Sequence, residues 1–94
     1  MVDNKFEIGQ LVNSIAGRDS KKFGLICEIL SQSFVRVVDG ESHRLEAPKK
    51  KNIKHLQGYP RIAAGLVNKW QEGQKVTDAE VKKAVEELRA GLGI

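Results

Sequence analysis

The sequence predicts a mainly β protein, a small barrel of about five strands followed by a C-terminal two-helix extension. Short runs rich in β-branched residues alternate with turn residues over positions 1–57, which is typical of strands. The motif Gly58-Tyr59-Pro60 marks a change, because apolar residues recur with a helical period over positions 58–94. A chain of 94 residues has room for one compact domain but not for two ordinary ones.

Five segments are predicted to be strands because their side chains alternate or because they are rich in β-branched and aromatic residues. They cover residues 10–16, 23–30, 34–38, 42–47 and 52–56. Turns are expected at residues 17–20 and 31–33, and Asp39-Gly40 is a strong hairpin signal. Closing short strands into a barrel would remove the exposed edges of an open sheet.

Two helices are predicted after Gly58. Pro60 suits the first turn of a helix, and Gly73 would end it. Thr77 and Glu80 form the capping box of a second helix. The apolar stripes of these helices are Ile62, Leu66, Val67 and Trp70 in the first, and Val81, Ala84, Val85 and Leu88 in the second. Such stripes must be covered, so the helices are expected either to pack on the barrel or to mediate association.

Composition favours an anionic partner. The formal net charge is +4 and the sequence pI is about 9.4, which suits a polyanion. Cys27 is the only cysteine, so the chain lacks an internal disulfide and suits a reducing compartment. Residues 1–10 lack the apolar segment of a signal peptide, and no apolar run approaches the roughly 20 residues that span a bilayer. We therefore expect a cytoplasmic protein that does not bind membranes.

No catalytic or metal-binding pattern is present in the sequence. His43 and His55 lack a third ligand at a recognisable spacing. Cys27 lies within an apolar predicted strand, where a thiolate is disfavoured. Motifs for paired carboxylates, a Ser/His/Asp triad or a phosphate-binding glycine loop are missing. We expect no enzymatic activity, no metal and no cofactor.

The positive charge is concentrated in one stretch. Between His43 and His55 the only acidic residue is Glu46. The cationic residues there are Arg44, Lys49, Lys50, Lys51 and Lys54. Because burying an unpaired charge is prohibitive, the three consecutive lysines are expected to project into solvent or onto a polyanion. The alternative is a solvated loop that only aids solubility.

Three blocks of sequence, taken in order, resemble a known RNA-binding motif. The first, from Gly9 to Leu30, has the run V-x-S-x-A-G-R-D at residues 12–19 and a glycine, Gly24, before the next apolar strand. The second is Val38-Asp39-Gly40, and the third is the run P-K-K-K-N-x-K-H-L at residues 48–56. From Gly9 to about Gln57 the chain resembles the bacterial KOW-domain RNA-binding proteins, which are similar to KOW-containing large-subunit ribosomal proteins of archaea and eukaryotes.

The resemblance implies an SH3-like barrel over residues 1–57, no cofactor, and association with RNA or the ribosome. The expected partners are ribosomal RNA and the large ribosomal subunit. Residues 58–94 lie outside the resemblance and are expected to form a helical hairpin. The chain would then be either a monomer or a weak homodimer through these helices.

The candidate RNA-binding residues lie on the turn after the first strand and on the basic stretch. Gly17 would let the turn backbone approach a ligand closely, and long cationic side chains can reach phosphates. Arg44, Asn52 and His55 would supply any discrimination between RNAs. The full set is Gly17, Arg18, Lys21, Lys22, Arg44, Lys49, Lys50, Lys51, Asn52, Lys54 and His55.

Phe23 and Phe34 are expected in the barrel core, which leaves little aromatic surface for stacking on bases. A structured, largely double-stranded RNA therefore fits better than single strands. Two alternatives remain open. Arg18 and Asp19 could pair within the turn instead of contacting RNA. The whole chain could also be a non-catalytic protein-interaction module that docks a transcription or translation factor.

Overall fold

The computed structural model describes residues 4–17 and 21–94. These ranges contain five strands, a short 3-10 helix and two α-helices. The strands are β1 (Gln10–Ser14), β2 (Phe23–Ile29), β3 (Phe34–Val38), β4 (Lys49–Asn52) and β5 (Leu56–Ile62); the 3-10 helix spans Ile53–His55, and the α-helices are α1 (Ala64–Gln71) and α2 (Asp78–Leu92). The mainly β class and the C-terminal helical pair are confirmed.

The five strands form one antiparallel sheet in the order β4-β3-β2-β1-β5. Since β4 and β5 are its two edges, the barrel is open. The 3-10 helix nevertheless joins these edges directly. A flat five-stranded sheet would separate them by about 19 Å, whereas so short a link spans at most about 14 Å. The sheet must therefore curl at the end where this link lies.

The sheet buries apolar side chains on both faces because side chains alternate along each strand. One face carries the inner core, to which the N-terminal segment contributes Phe6 and β5 contributes Leu56. The residues of the inner core are Phe6, Val12, Ile26, Val35, Val37 and Leu56. Ile53 of the 3-10 helix packs against this core, so the link between the edge strands also helps to cover it.

The opposite face carries the helix-side core, which joins the sheet to α1 and α2. Its buried residues are Leu11, Leu25, Val38, Ala63, Leu66, Val76, Val81 and Val85. Val81 is fully buried, and Trp70 and Leu88 are partly buried against the same cluster. The stripe of α2 therefore packs on the sheet, and so do Leu66 and Trp70 of the first stripe. Ile62 was predicted to belong to the first helix but lies at the end of β5, where it is exposed. The capping box at the start of α2 is present, because the Thr77 side chain accepts from the Glu80 amide and the Glu80 side chain accepts from the Thr77 amide.

The prediction of a strand over residues 42–47 is wrong. Residues 39–48 form a loop that is held by hydrogen bonds within the loop and to the start of α2. Asp39 Oδ1 accepts from the amides of Glu41 and His43 at 2.8 and 2.9 Å. Asp78 Oδ1 accepts from the Leu45 amide at 2.8 Å. Asp39-Gly40 therefore opens a longer loop that is fastened to the start of α2, and the strand that pairs with β3 is β4.

Two further boundaries differ from the prediction. Residues 53–55 form the 3-10 helix, so the last predicted strand is replaced by β4 and β5 on either side of it. Pro60 lies within β5 and not in a helical turn. Proline cannot donate to a strand ladder, but an edge strand tolerates it. β5 pairs with β1 from Leu56 to Ile62. This strand therefore crosses the boundary that was predicted between the barrel (residues 1–57) and the helical extension, and α1 begins only at Ala64.

Two glycines test how tightly the loop after β3 is held against α2. Gly17 and Gly40 share nearly the same backbone conformation, with φ of 80° and 82°. A Cβ at Gly17 would meet nothing within 4 Å, whereas one at Gly40 would collide with the Asp78 carbonyl oxygen and approach the Lys82 amide nitrogen at 3.0 Å. We expect Gly17→Ala to lower the free energy of unfolding by about 1 kcal/mol through backbone strain alone. Gly40→Ala should cost at least about 2 kcal/mol, because overpacking adds to that strain.

Urea unfolding of the two variants measures the difference. Equal losses would contradict close packing of α2 on residues 39–48.

Candidate nucleic-acid interface

The connection between β1 and β2 is closed by two backbone hydrogen bonds to Ser14. The Ser14 amide donates to the Lys22 carbonyl at 2.9 Å, and the Lys21 amide donates to the Ser14 carbonyl at 2.8 Å. Both lysines are exposed, and so is Gly17. The turn thus holds two cationic side chains at the end of β1. Arg18, which was predicted to belong with them, lies outside the described residues.

Lys21 adopts a left-handed backbone conformation with φ of 73°. Among the described residues it is the only non-glycine with a positive φ. For an L-residue without a short polar side chain this conformation costs about 1–2 kcal/mol. The backbone conformation of Lys21 therefore lowers the stability of the fold, and such strain tends to occur at functional sites.

The 3-10 helix lies on the other side of the end of β1. The Ile15 amide donates to the His55 carbonyl at 2.9 Å. Lys54 and His55 are exposed there. Asn52 caps this helix, since its Oδ1 accepts from the Lys54 amide at 2.9 Å. The sequence analysis assigned Asn52 to RNA binding, whereas its side-chain oxygen caps the 3-10 helix.

The three consecutive lysines lie on the edge strand β4, where they alternate between the two faces. Lys49 is opposite Val37 and Lys51 is opposite Val35, so both are on the face of the inner core. Lys49 is exposed and Lys51 is half-buried. Lys50 points to the other face, where its Nζ lies 4.7 Å from the centre of the Phe34 ring. The run is therefore a strand and not a loop.

A small cleft brings the lysine run and the turn together. Lys22 and Lys51 both line it, as do Ser14 and His43. The turn after β1 and the edge strand β4 thus border the same opening. Arg44 is exposed on the loop 39–48 and does not line this cleft.

The sequence predicted Phe34 in the barrel core, and this prediction is wrong. Phe34 is half-buried and belongs to neither core, and it lies on β3 next to the edge strand, where Lys50 covers its ring. Phe23 does pack on the helix-side core. Its ring also carries the guanidinium of Arg89 at 4.1 Å from the ring centre.

Sequence reasoning missed Lys82 and Arg89 of α2. Both line a second cleft together with Lys21 and Lys22. Their spacing of seven residues on one helix places them on the same side, and this signal was available in the sequence. The sequence did not indicate that this side of α2 faces the turn after β1.

A third opening, the groove between the end of β5, α1 and α2, has a different character. Ile62, Leu66 and Leu88 contribute apolar lining. Its charged residues form two pairs, Lys69 with Glu80 at 2.5 Å and Lys83 with Glu87 at 3.9 Å. Charges of both signs balance here, so this groove does not attract a polyanion.

Burial, followed by the charge of the nearby Glu28 carboxylate, raises the pKa of the Cys27 thiol to about 11, so the thiol is protonated at neutral pH. The described part of the chain has no group of three or more His, Cys, Asp or Glu side chains that could hold a metal ion. It also has no helix that is both long enough and apolar enough to cross a membrane. No model of a known protein family matches the chain.

The strain at Lys21 makes a prediction about two neighbouring positions. Lys21→Gly relieves the left-handed strain, which offsets the extra chain entropy of glycine in the unfolded state. We expect the free energy of unfolding to stay the same or to rise by up to about 1 kcal/mol. Lys22→Gly is the matched control, because Lys22 is not among the described residues with a positive φ, and it should lower that free energy by about 0.5–1 kcal/mol.

Chemical denaturation of both variants decides the matter. If Lys21→Gly proves less stable than Lys22→Gly, the turn does not store strain at Lys21.

Proposed function

We propose that this chain is a non-catalytic RNA-binding protein of the KOW type that associates with ribosomal RNA or the ribosome in the cytoplasm. It would hold the phosphate backbone on a basic face. The basic face consists of Lys21, Lys22, Lys49, Lys51, Lys54 and His55; Lys50 lies on the other side of β4. The observation that carries the proposal is the convergence at the end of β1 of two segments that are distant in sequence, the turn with Lys21 and Lys22 and the run of residues 49–55.

Two contacts produce this convergence. Ser14 bonds through its backbone to Lys21 and Lys22, and the next residue, Ile15, bonds to His55. Lys22 and Lys51 line one cleft. Cations that are distant in sequence thus occupy one end of the sheet. A local excess of lysine attracts phosphates, and the counterions released on binding supply affinity.

A simpler role for the lysines of β4 is protection of an edge strand. Edge lysines discourage pairing with another sheet, and this role suits Lys49 and Lys50. It does not explain Lys21, which is held in a strained turn, or Lys54, which lies beyond the strand. The proximity of Lys22 and Lys51 in one cleft, with Lys21 beside them on the turn, supports a polyanion as the partner.

Structured, largely double-stranded RNA fits this face best. Lysine contacts to phosphates position a nucleic acid without reading its bases, and double-stranded RNA is recognised by shape and backbone. Single-strand binding depends on open aromatic platforms. Phe23, which lines the cleft with Lys22 and Lys51, is half-buried and packs on the helix-side core, and Phe34 is half-buried beneath Lys50. The resemblance of residues 9–57 to KOW-domain RNA-binding proteins supports ribosomal RNA as the source.

Replacing three exposed lysines of the basic face should weaken RNA binding and flatten its salt dependence. The variant carries Lys21→Gln, Lys49→Gln and Lys54→Gln, all at exposed positions. Each lost phosphate contact lowers the slope of log K against log salt by about 0.9, so the slope should fall by about 2–3. Affinity for a structured ribosomal RNA fragment should drop at least about tenfold at ~0.1 M salt. Fluorescence anisotropy over a series of salt concentrations measures both quantities.

The matched control removes the same charge elsewhere. Arg61→Gln, Lys75→Gln and Lys83→Gln are also at exposed positions, and this variant should bind RNA nearly as the unaltered chain does. Equal losses in the two variants would show that net charge alone matters and would contradict a defined face. Crosslinking in cells tests the alternative. If a protein and no enriched RNA is crosslinked to the chain, docking of a transcription or translation factor is favoured instead. Such docking should depend little on salt.

A further inference from the structure

A cleft between α2 and the turn after β1 combines four cations from two distant segments. Lys21 and Lys22 come from the turn, and Lys82 and Arg89 come from α2. Asp39, Glu41 and Ser42 form its third wall, where Ser42 accepts a hydrogen bond from Lys22 Nζ at 2.9 Å. This helix-side cleft shares Lys21 and Lys22 with the basic face and extends it onto α2.

Arg89 is the most informative residue of the helix-side cleft. Its guanidinium stacks on Phe23, with the guanidinium carbon 4.1 Å from the ring centre. Its Nε is buried and has no hydrogen-bond partner among the described residues. Most buried donors are bonded, so this Nε stands out among the described residues. A stacked guanidinium also keeps the edge of its planar fork available for two oxygens at once.

The acidic residues of the cleft are largely engaged. Asp39 accepts from two backbone amides of its own loop. Glu41 pairs with Lys82 at 2.6 Å. The hydrogen bond that Lys82 donates to Glu41, followed by the charges of Glu41 and Glu86, raises the pKa of Lys82. Glu86 also lines the cleft. Outside the Lys82–Glu41 pair the cations are therefore Lys21, Lys22 and Arg89, and the acids are Asp39 and Glu86.

We propose that the helix-side cleft binds a phosphate group of the RNA backbone, with Arg89 as its principal donor. The inference rests on the proposed function, and it assigns α2 a part in RNA binding besides covering the sheet. The KOW resemblance ends near Gln57 and does not include this helix. The planar fork of Arg89 receives two phosphate oxygens, while Lys21 adds charge from the opposite wall.

The first test compares substitutions on two sides of α2. Arg89→Gln removes a donor from the helix-side cleft, and Lys83→Gln removes the same charge from the opposite groove, which Lys83 lines. We expect Arg89→Gln to weaken RNA binding about tenfold at low salt and to reduce the salt slope by about 0.9. Lys83→Gln should leave both nearly unchanged. Arg89→Lys keeps the charge but loses the fork, so it should retain the slope and lose part of the affinity.

A second variant keeps the proposal testable if Arg89 is needed for folding. Glu86→Gln removes an exposed acid from the cleft and should strengthen RNA binding several-fold. If Arg89→Gln folds and binds as the unaltered chain does, with the same salt slope, and Glu86→Gln has no effect, the inference is overturned while the proposed function stands.

Inorganic phosphate distinguishes the two possible sources of the anion. We expect millimolar phosphate, but not chloride at equal ionic strength, to shift the ¹⁵N signal of Arg89 Nε in the full chain and to compete with RNA. A phosphate shift in a chain that binds no RNA would support the cleft as a site for a free anion and would overturn the proposed function. The absence of both RNA binding and a phosphate shift would overturn both.

Discussion

The short link between β4 and β5 is the constraint on which the rest of the structure depends. The order β4-β3-β2-β1-β5 places these consecutive strands at opposite edges of the sheet, yet only the 3-10 helix Ile53–His55 joins them. The sheet must curl to satisfy this link. Curling encloses the inner core beneath Ile53 and brings His55 to the end of β1. The same geometry places the lysines of β4 near the turn after β1, so the basic face is a consequence of how the sheet closes.

The second constraint is the attachment of α2 to the loop 39–48. Gly40 lies so close to the start of α2 that a side chain there would collide with the Asp78 carbonyl, and Asp78 in turn accepts from the Leu45 amide. These contacts set the helix against the face of the sheet that carries Leu11, Leu25 and Val38. They also set the rotation of α2, because Val81 and Val85 must face the sheet. Arg89 then lies over Phe23, at the turn that carries Lys21.

The three central strands of the sheet were predictable from the sequence in detail, and the two edge strands were not. β3 has the predicted bounds, and β1 and β2 begin where expected, because their alternation of apolar residues matches a two-sided core. β4 carries three lysines and no core residue, so its composition looks like a loop. β5 contains Gly58 and Pro60, which are unfavourable in strands, and it forms because β1 offers a partner along its whole length. Pairing along an edge is a tertiary property that local patterns do not contain.

By itself the sequence determined the fold class, the capping box of α2, the apolar stripes and the concentration of lysine near Lys49. Each of these depends on residues that are close together in the chain. The tertiary structure decided which face each lysine occupies, that Phe34 lies outside the cores, and that Arg89 meets the turn after β1. These features depend on residues that are far apart in the chain, and their positions follow from the curl of the sheet and the rotation of α2. Both are set by the packing of the two cores, which only the folded chain contains.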